Sequence, residues 1–149
     1  MQPTILQIVK RNLWSVAEGE HKNKPLVIRY RGEFRKKPDL SAYPRLVRVV
    51  WSFDANPSGM PSTSTSQQMS VFEDRLVAAV EPSQTSVLVA VITNSGQREW
   101  LFYTSDVAKF GQRLTDMPQE KERYPIAISS ESDPAWNALY NDILSGVGE

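Results

Sequence analysis

The segment Ser86–Thr93 most restricts what this chain can fold into. Its middle, Val87-Leu88-Val89-Ala90-Val91-Ile92, is apolar at every position and rich in β-branched residues, the pattern of a strand buried on both faces. Asn94-Ser95-Gly96 follows as a tight turn, and Gln97 to Thr104 returns as the hairpin partner.

The flanking segments place that hairpin in a sheet. In Arg45–Phe53, residues Val47, Val49, Trp51 and Phe53 fall on one face, and Leu46, Arg48, Val50 and Ser52 on the other. A turn-rich connection, Asp54–Thr63, contains Asn56-Pro57, Gly59 and Pro61. It leads to a helix within Ser64–Val80 whose stripe is Met69, Phe72, Leu76, Ala79 and Val80, ended by Glu81-Pro82. After the hairpin, Thr104 or Ser105 caps a second helix striped by Val107, Phe110, Leu114 and Met117, and a strand follows at Tyr124–Ser130. The order over residues 45–130 is strand, helix, strand, strand, helix, strand. That is an α+β fold with a ferredoxin-like β-α-β-β-α-β core, an antiparallel sheet with both helices on one face.

Outside the core, Leu13–Glu18 and Pro25–Arg31 read as a hairpin joined by the polar segment Gly19–Lys24, followed by a basic loop, Gly32–Asp39. Asp133 as N-cap and Pro134 in the first turn open a final helix with Trp136, Leu139, Tyr140, Ile143 and Leu144 on one face. The expected organisation is a single domain, 1–149, with a core at 45–130, an N-terminal hairpin extension at 12–31 and a C-terminal helix at 133–145. The sheet face carrying Leu46 and Arg48 is mixed, and is either solvated or covered by the N-terminal hairpin.

Composition bounds the chemistry. The 149 residues contain no cysteine, so disulfides, thiolate nucleophiles and zinc–thiolate sites are excluded. His21 is the only histidine, which argues against Ser-His-Asp triads, paired-histidine sites and most zinc sites. No apolar run approaches the ~20 residues of a membrane-spanning helix. The first residues lack a basic stretch before their apolar one, which argues against a secretory signal and makes the cytoplasm the expected location. Net charge is zero but uneven: residues 1–53 hold 11 Lys/Arg against 4 Asp/Glu, and residues 54–149 hold 6 against 13. Such polarity either steers a charged partner or is satisfied internally, and the internal reading is favoured.

Several motifs together resemble the bacterial family called domain of unknown function 695. They are Tyr43-Pro44, Val49 and Trp51, Gly59-Met60-Pro61, Phe72-Glu73-Asp74, Thr93 and Gly96, Arg98-Glu99-Trp100, Tyr103-Thr104, and Asp133-Pro134-Ala135-Trp136. The likeness runs from about Leu13 to Leu144. It implies no activity, because that family has no established common function. Some similar proteins occur beside a domain resembling regulator of ribonuclease activity B, which implies protein binding rather than catalysis.

The candidate binding residues are Gly59, Met60, Pro61, Glu73, Arg98, Trp100 and Tyr103. Gly59, Met60 and Pro61 lie in the irregular Asn56–Ser62 loop, where loops more often carry function than regular elements do. Glu73 sits beside the apolar stripe of its helix, so it pairs with a cation such as Arg98 or an N-terminal arginine, or acts as a functional acid. Trp100 and Tyr103 belong to an aromatic strand that is either core or a stacking surface. No catalytic residue, metal or cofactor is expected. The leading expectation is a non-enzymatic protein-binding module, a regulator or immunity-type inhibitor of a partner enzyme. The alternatives are a ligand pocket or enzyme site around Glu73, Arg98 and Tyr103, and a nucleic-acid binder on the sheet face, which the acidic second half disfavours.

Overall fold

In the computed structural model, which describes residues 3–146, the chain runs through α1 (Ile5–Arg11), β1 (Ser15–His21), β2 (Lys24–Tyr30), a 3-10 helix (Gly32–Lys36), β3 (Arg45–Ser52) and α2 (Thr63–Val80). It continues through β4 (Ser86–Asn94), β5 (Gln97–Thr104), α3 (Val107–Asp116), β6 (Ile126–Ser132), a single turn α4 (Asn137–Leu139) and a π-helical turn (Tyr140–Leu144). The fold is α+β. One six-stranded sheet has the order β1-β2-β4-β5-β3-β6, with every neighbouring pair antiparallel. The α2 connection spans β5 to reach β4, and the α3 connection spans β3 to reach β6, which interleaves the two β-α-β units.

The face under α2 and α3 is the one the alternation of β3 points to. Val47, Val49, Trp51, Leu88, Val91, Trp100 and Phe102 meet Met69, Phe72, Leu76, Val80, Phe110 and Met117, all buried. Phe72 packs edge-on against Trp51 at 5.5 Å, Trp100 at 5.1 Å and Tyr124 at 4.8 Å, the geometry ring quadrupoles favour.

The opposite face is covered over most of its core residues, and not by the hairpin. β2 joins the sheet edge to edge, from Leu26 opposite Asn94 to Tyr30 opposite Ala90, so the hairpin widens the sheet. Its backbone groups find partners on β4, which a hairpin lying across the face would leave unmet. The cover comes from α1, the 3-10 helix and the C-terminal segment. Ile5, Ile8, Phe34, Trp136, Leu139 and Ile143 pack on Leu46, Val87, Val89, Leu101 and Tyr103. A capping box starts α1: Thr4 Oγ1 accepts from the Gln7 N–H at 3.1 Å, and Gln7 Oε1 accepts from the Thr4 N–H at 2.9 Å.

Other boundaries shift for local reasons. The first hairpin continues to His21 opposite Lys24, and Lys22 and Asn23 turn it at φ 54° and 64°, so the connection is two residues rather than Gly19–Lys24. Asp106, rather than Thr104 or Ser105, caps α3 by accepting from the Lys109 N–H at 3.0 Å. Thr104 is buried and bonded instead to Ser86 and to the Thr85 carbonyl. β6 begins two residues later than the sequence pattern indicates and extends to Ser132.

The C-terminal helix is shorter than 133–145 and less regular. Trp136 stands in the left-handed region at φ 56°, ahead of one α turn and one π turn. What holds this conformation is a buried cluster. The Trp136 ring stacks on Tyr103 at 4.1 Å and 5°, and its Nε1–H donates to the Tyr43 carbonyl at 2.8 Å. Asp133 accepts from the Asn137 N–H at 2.8 Å, the Ala138 N–H at 3.0 Å and the Tyr103 hydroxyl at 2.6 Å. The N-cap position is thus Trp136 rather than Asp133, and Pro134 precedes the helix instead of sitting in its first turn, although Asp133, four residues before Asn137, still accepts from the first helical N–H groups.

Burial tends to raise the Asp133 pKa, but the bonds from Tyr103, Ala138 and Asn137, aided by Arg48, outweigh it and hold the carboxyl below its ordinary 3.8. A depressed folded value stabilises the protein fully above the unfolded value, and that contribution disappears as pH falls through the folded one. Asp133→Asn should therefore cost about 1–3 kcal/mol at pH 7 and flatten the loss of stability on acidification below about pH 5. Urea unfolding of both proteins across that range reads this directly.

Candidate functional site

The Gly59-Met60-Pro61 loop is a brace. Asn56 Oδ1 accepts from the Ser58 and Met60 N–H groups at 2.9 and 3.0 Å, and the Asn56 N–H donates to the Met60 carbonyl at 2.9 Å. The Gly96 N–H donates to the Gly59 carbonyl at 2.9 Å, tying the loop to the β4–β5 turn. Gly59 has φ +82°, and a Cβ there would lie 2.9 Å from the Ser95 backbone, so only glycine fits. Lys24 Nζ donates to the Pro57 carbonyl at 2.6 Å and Asn94 Nδ2 to the Pro25 carbonyl at 2.8 Å. Three turns are thus bound together at one end of the sheet, with Met60 and Pro61 half-buried among them.

Glu73 pairs with an arginine from the N-terminal hairpin. Arg29 donates to it at 2.5 and 3.3 Å, and the Trp100 indole N–H donates at 2.8 Å. Arg98 instead donates its Nε–H to Thr93 Oγ1 at 2.8 Å. Burial, and then the charge of Arg29, lower the Arg98 pKa, with Glu73 opposing. Trp100 is fully buried. Glu73, Arg98 and Trp100 therefore share the helix-covered face, whereas Tyr103 lies on the opposite face, bonded to Asp133, with its own pKa raised by burial and then by that bond. Residues 98 and 103 differ in parity along one strand, so they cannot line a common pocket, and the site around Glu73, Arg98 and Tyr103 does not form.

Nearby, Arg31 is almost wholly buried. It donates to Glu81 at 2.9 Å, to the Leu88 carbonyl at 2.7 Å and to Asn12 at 2.8 Å, while Trp14 stacks beneath it at 4.8 Å. Four of the seven ion pairs among the described residues join a base from 1–53 to an acid from 54–149: Arg29–Glu73, Arg31–Glu81, Arg48–Glu99 and Arg48–Glu131. Much of the charge asymmetry is spent inside the molecule.

A concave surface does exist, on the second face, where the C-terminal segment stops short of the hairpin. It is a groove of about 290 Å³ with a floor of Leu26, Ile28, Ile92 and Leu101 and a wall of Ala138 and Ile143. Arg48 stands at its side, 2.9 Å from Glu99 and 3.4 Å from Glu131, and Asp142 and His21 complete the rim. Two carboxylates, Glu99 and Asp142, and one arginine, Arg48, line the groove, so its rim is net acidic. None of the seven residues singled out from the sequence lines it. Strand parity was the available signal: Arg48 lies opposite Leu101 on β5, and Glu99 shares the Leu101 face. Among the described residues no group of three or more His, Asp or Glu could hold a metal, and no helix is long and apolar enough to cross a membrane.

The chain matches the model of a family of unknown function, DUF695, over residues 12–145, and it belongs to that family. No curated protein matches it, and no solved structure does.

Gly59→Ala should destabilise the protein by about 1–3 kcal/mol, through φ and through the close Ser95 backbone. Gly19→Ala, with nothing within 4 Å of the added carbon, should leave the urea midpoint unchanged or raise it. A double-mutant cycle on Arg29→Ala and Glu73→Ala should return a coupling of about 1 kcal/mol. Zero coupling would free Glu73 from its structural role.

Proposed function

We propose that this protein is a binding module that recognises a partner protein through the groove on the second sheet face. The observation that carries this reading is the combination of an aliphatic floor with an acidic rim in one open concavity. Leu26, Ile28 and Ile92 offer apolar area to an inserted side chain, and Asp142, on the rim with the Arg48–Glu99 pair, offers charge to a neighbouring lysine or arginine. The expected ligand is a segment in which an apolar residue stands beside a basic one. The bound turns at that end of the sheet support the reading, because a groove on braced strands loses little entropy when it is filled. Regulation or inhibition of a partner enzyme by occlusion is consistent with such a surface.

The test is affinity capture from the native host with four baits: the wild type, Ile92→Asp, Asp142→Arg, and Val71→Lys on the exposed side of α2. Circular dichroism checks that each is folded. The reading expects one partner retained by the wild type and by Val71→Lys, and lost by at least tenfold in calorimetric affinity with either groove variant. A partner held equally by all four baits would put the binding surface elsewhere.

A further inference from the structure

We infer that the β6 edge is a self-association surface, on which a second copy of this chain pairs antiparallel about a twofold axis through Ile128. The sheet ends at β1 on one side and β6 on the other. The two edges differ. β1 carries Glu18, Glu20 and His21 among its seven residues, the kind of charge that deters strand addition. β6 carries one charge, Glu131, which is already engaged by Arg48 of β3. From Ile126 to Ser130 there is none. Within the described residues β6 pairs with β3 alone, every residue from Ala127 to Ser132 is exposed, and Ile128 is 46% exposed.

The residue pattern favours a copy of itself over a foreign strand. A peptide added to an edge is selected by pockets or charges that read its alternate side chains, and Ile126–Ser130 carries no charge to do so. Its own sequence accommodates a twofold axis at Ile128 without opposing like charges. An axis there sets Ile128 on Ile128 of the second copy, Ala127 opposite Ser129, and Ile126 opposite Ser130. Glu131 falls opposite Pro125, so the two carboxylates do not meet. The pairing is isologous and closes at two copies, and the groove between the hairpin and the C-terminal segment remains open on each.

The chain has no cysteine, so single replacements report on the register without background. Directly opposed residues of an antiparallel pair have Cα atoms about 4.5–5.5 Å apart, within the range of about 4.4–6.8 Å that a disulfide spans. Light scattering across a concentration series should show the wild-type mass doubling and Ile128→Lys remaining monomeric. Under mild oxidation Ile128→Cys should cross-link at least tenfold faster than Ser64→Cys on exposed α2. An equal mixture of Ala127→Cys and Ser129→Cys chains should cross-link faster than either alone. A wild type that stays monomeric to its solubility limit would overturn the inference. So would a dimer that survives Ile128→Lys, or Ile128→Cys cross-linking at the rate of Ser64→Cys.

Discussion

The structure depends on one constraint: β4 and β5 are apolar on both faces, so both faces must be covered. Val87, Leu88, Val89, Ala90 and Val91, with Trp100, Leu101, Phe102 and Tyr103, are all within 2% of complete burial. A single helical layer on one side would leave Val87, Val89, Leu101 and Tyr103 in water, at roughly 1.5–3 kcal/mol for each large side chain. The amphipathic helices α2 and α3 supply one cover. Segments distant in the sequence, Ile5–Arg11, Gly32–Lys36 and Trp136–Leu144, are recruited as the other.

That second cover is pieced together from short elements, and it is held by specific contacts rather than by area alone. Trp136 stacks on Tyr103, Asp133 collects three hydrogen bonds, and Tyr140 donates to the Phe34 carbonyl at 2.7 Å. Because these anchors fix where the cover ends, they also fix where the sheet face stays open. The groove is the part of the second face that the C-terminal segment does not reach, and its rim takes Asp142 from that same segment. Burial, anchoring and the candidate binding surface are therefore consequences of one arrangement.

The core order was legible because its signals are local. The alternation in β3, the stripe of α2 and the apolar run of β4 each fit within a short window, and each element lies close to where its pattern puts it. The second layer was harder to read. α1 and the 3-10 helix are too short for periodicity, although Thr4-Ile5-Leu6-Gln7 carries a capping-box pattern. Whether the first hairpin would lie across the sheet or beside it turned on the unmet edge of β4, which no window contains. Glu73 was readable from its place beside the stripe as a carboxylate paired with Arg98 or an N-terminal arginine, but the choice of Arg29, 44 residues away, was not. The groove joins residues from β1, β2, β3, β4, β5 and the C-terminal segment, and only strand parity hinted that the strand residues share a face.

Native-state hydrogen exchange, followed residue by residue, tests the two-sided core most directly. Amides of Val87–Val91 and Trp100–Tyr103 should exchange only through global unfolding, at the free energy that urea unfolding gives, while β1 and β6 exchange through smaller local openings. Truncation after Ser132, which removes the C-terminal cover, should reduce protection on both faces of β4 and β5 together. Protection of the central hairpin that survives this truncation undiminished would contradict the dependence of the fold on its second layer.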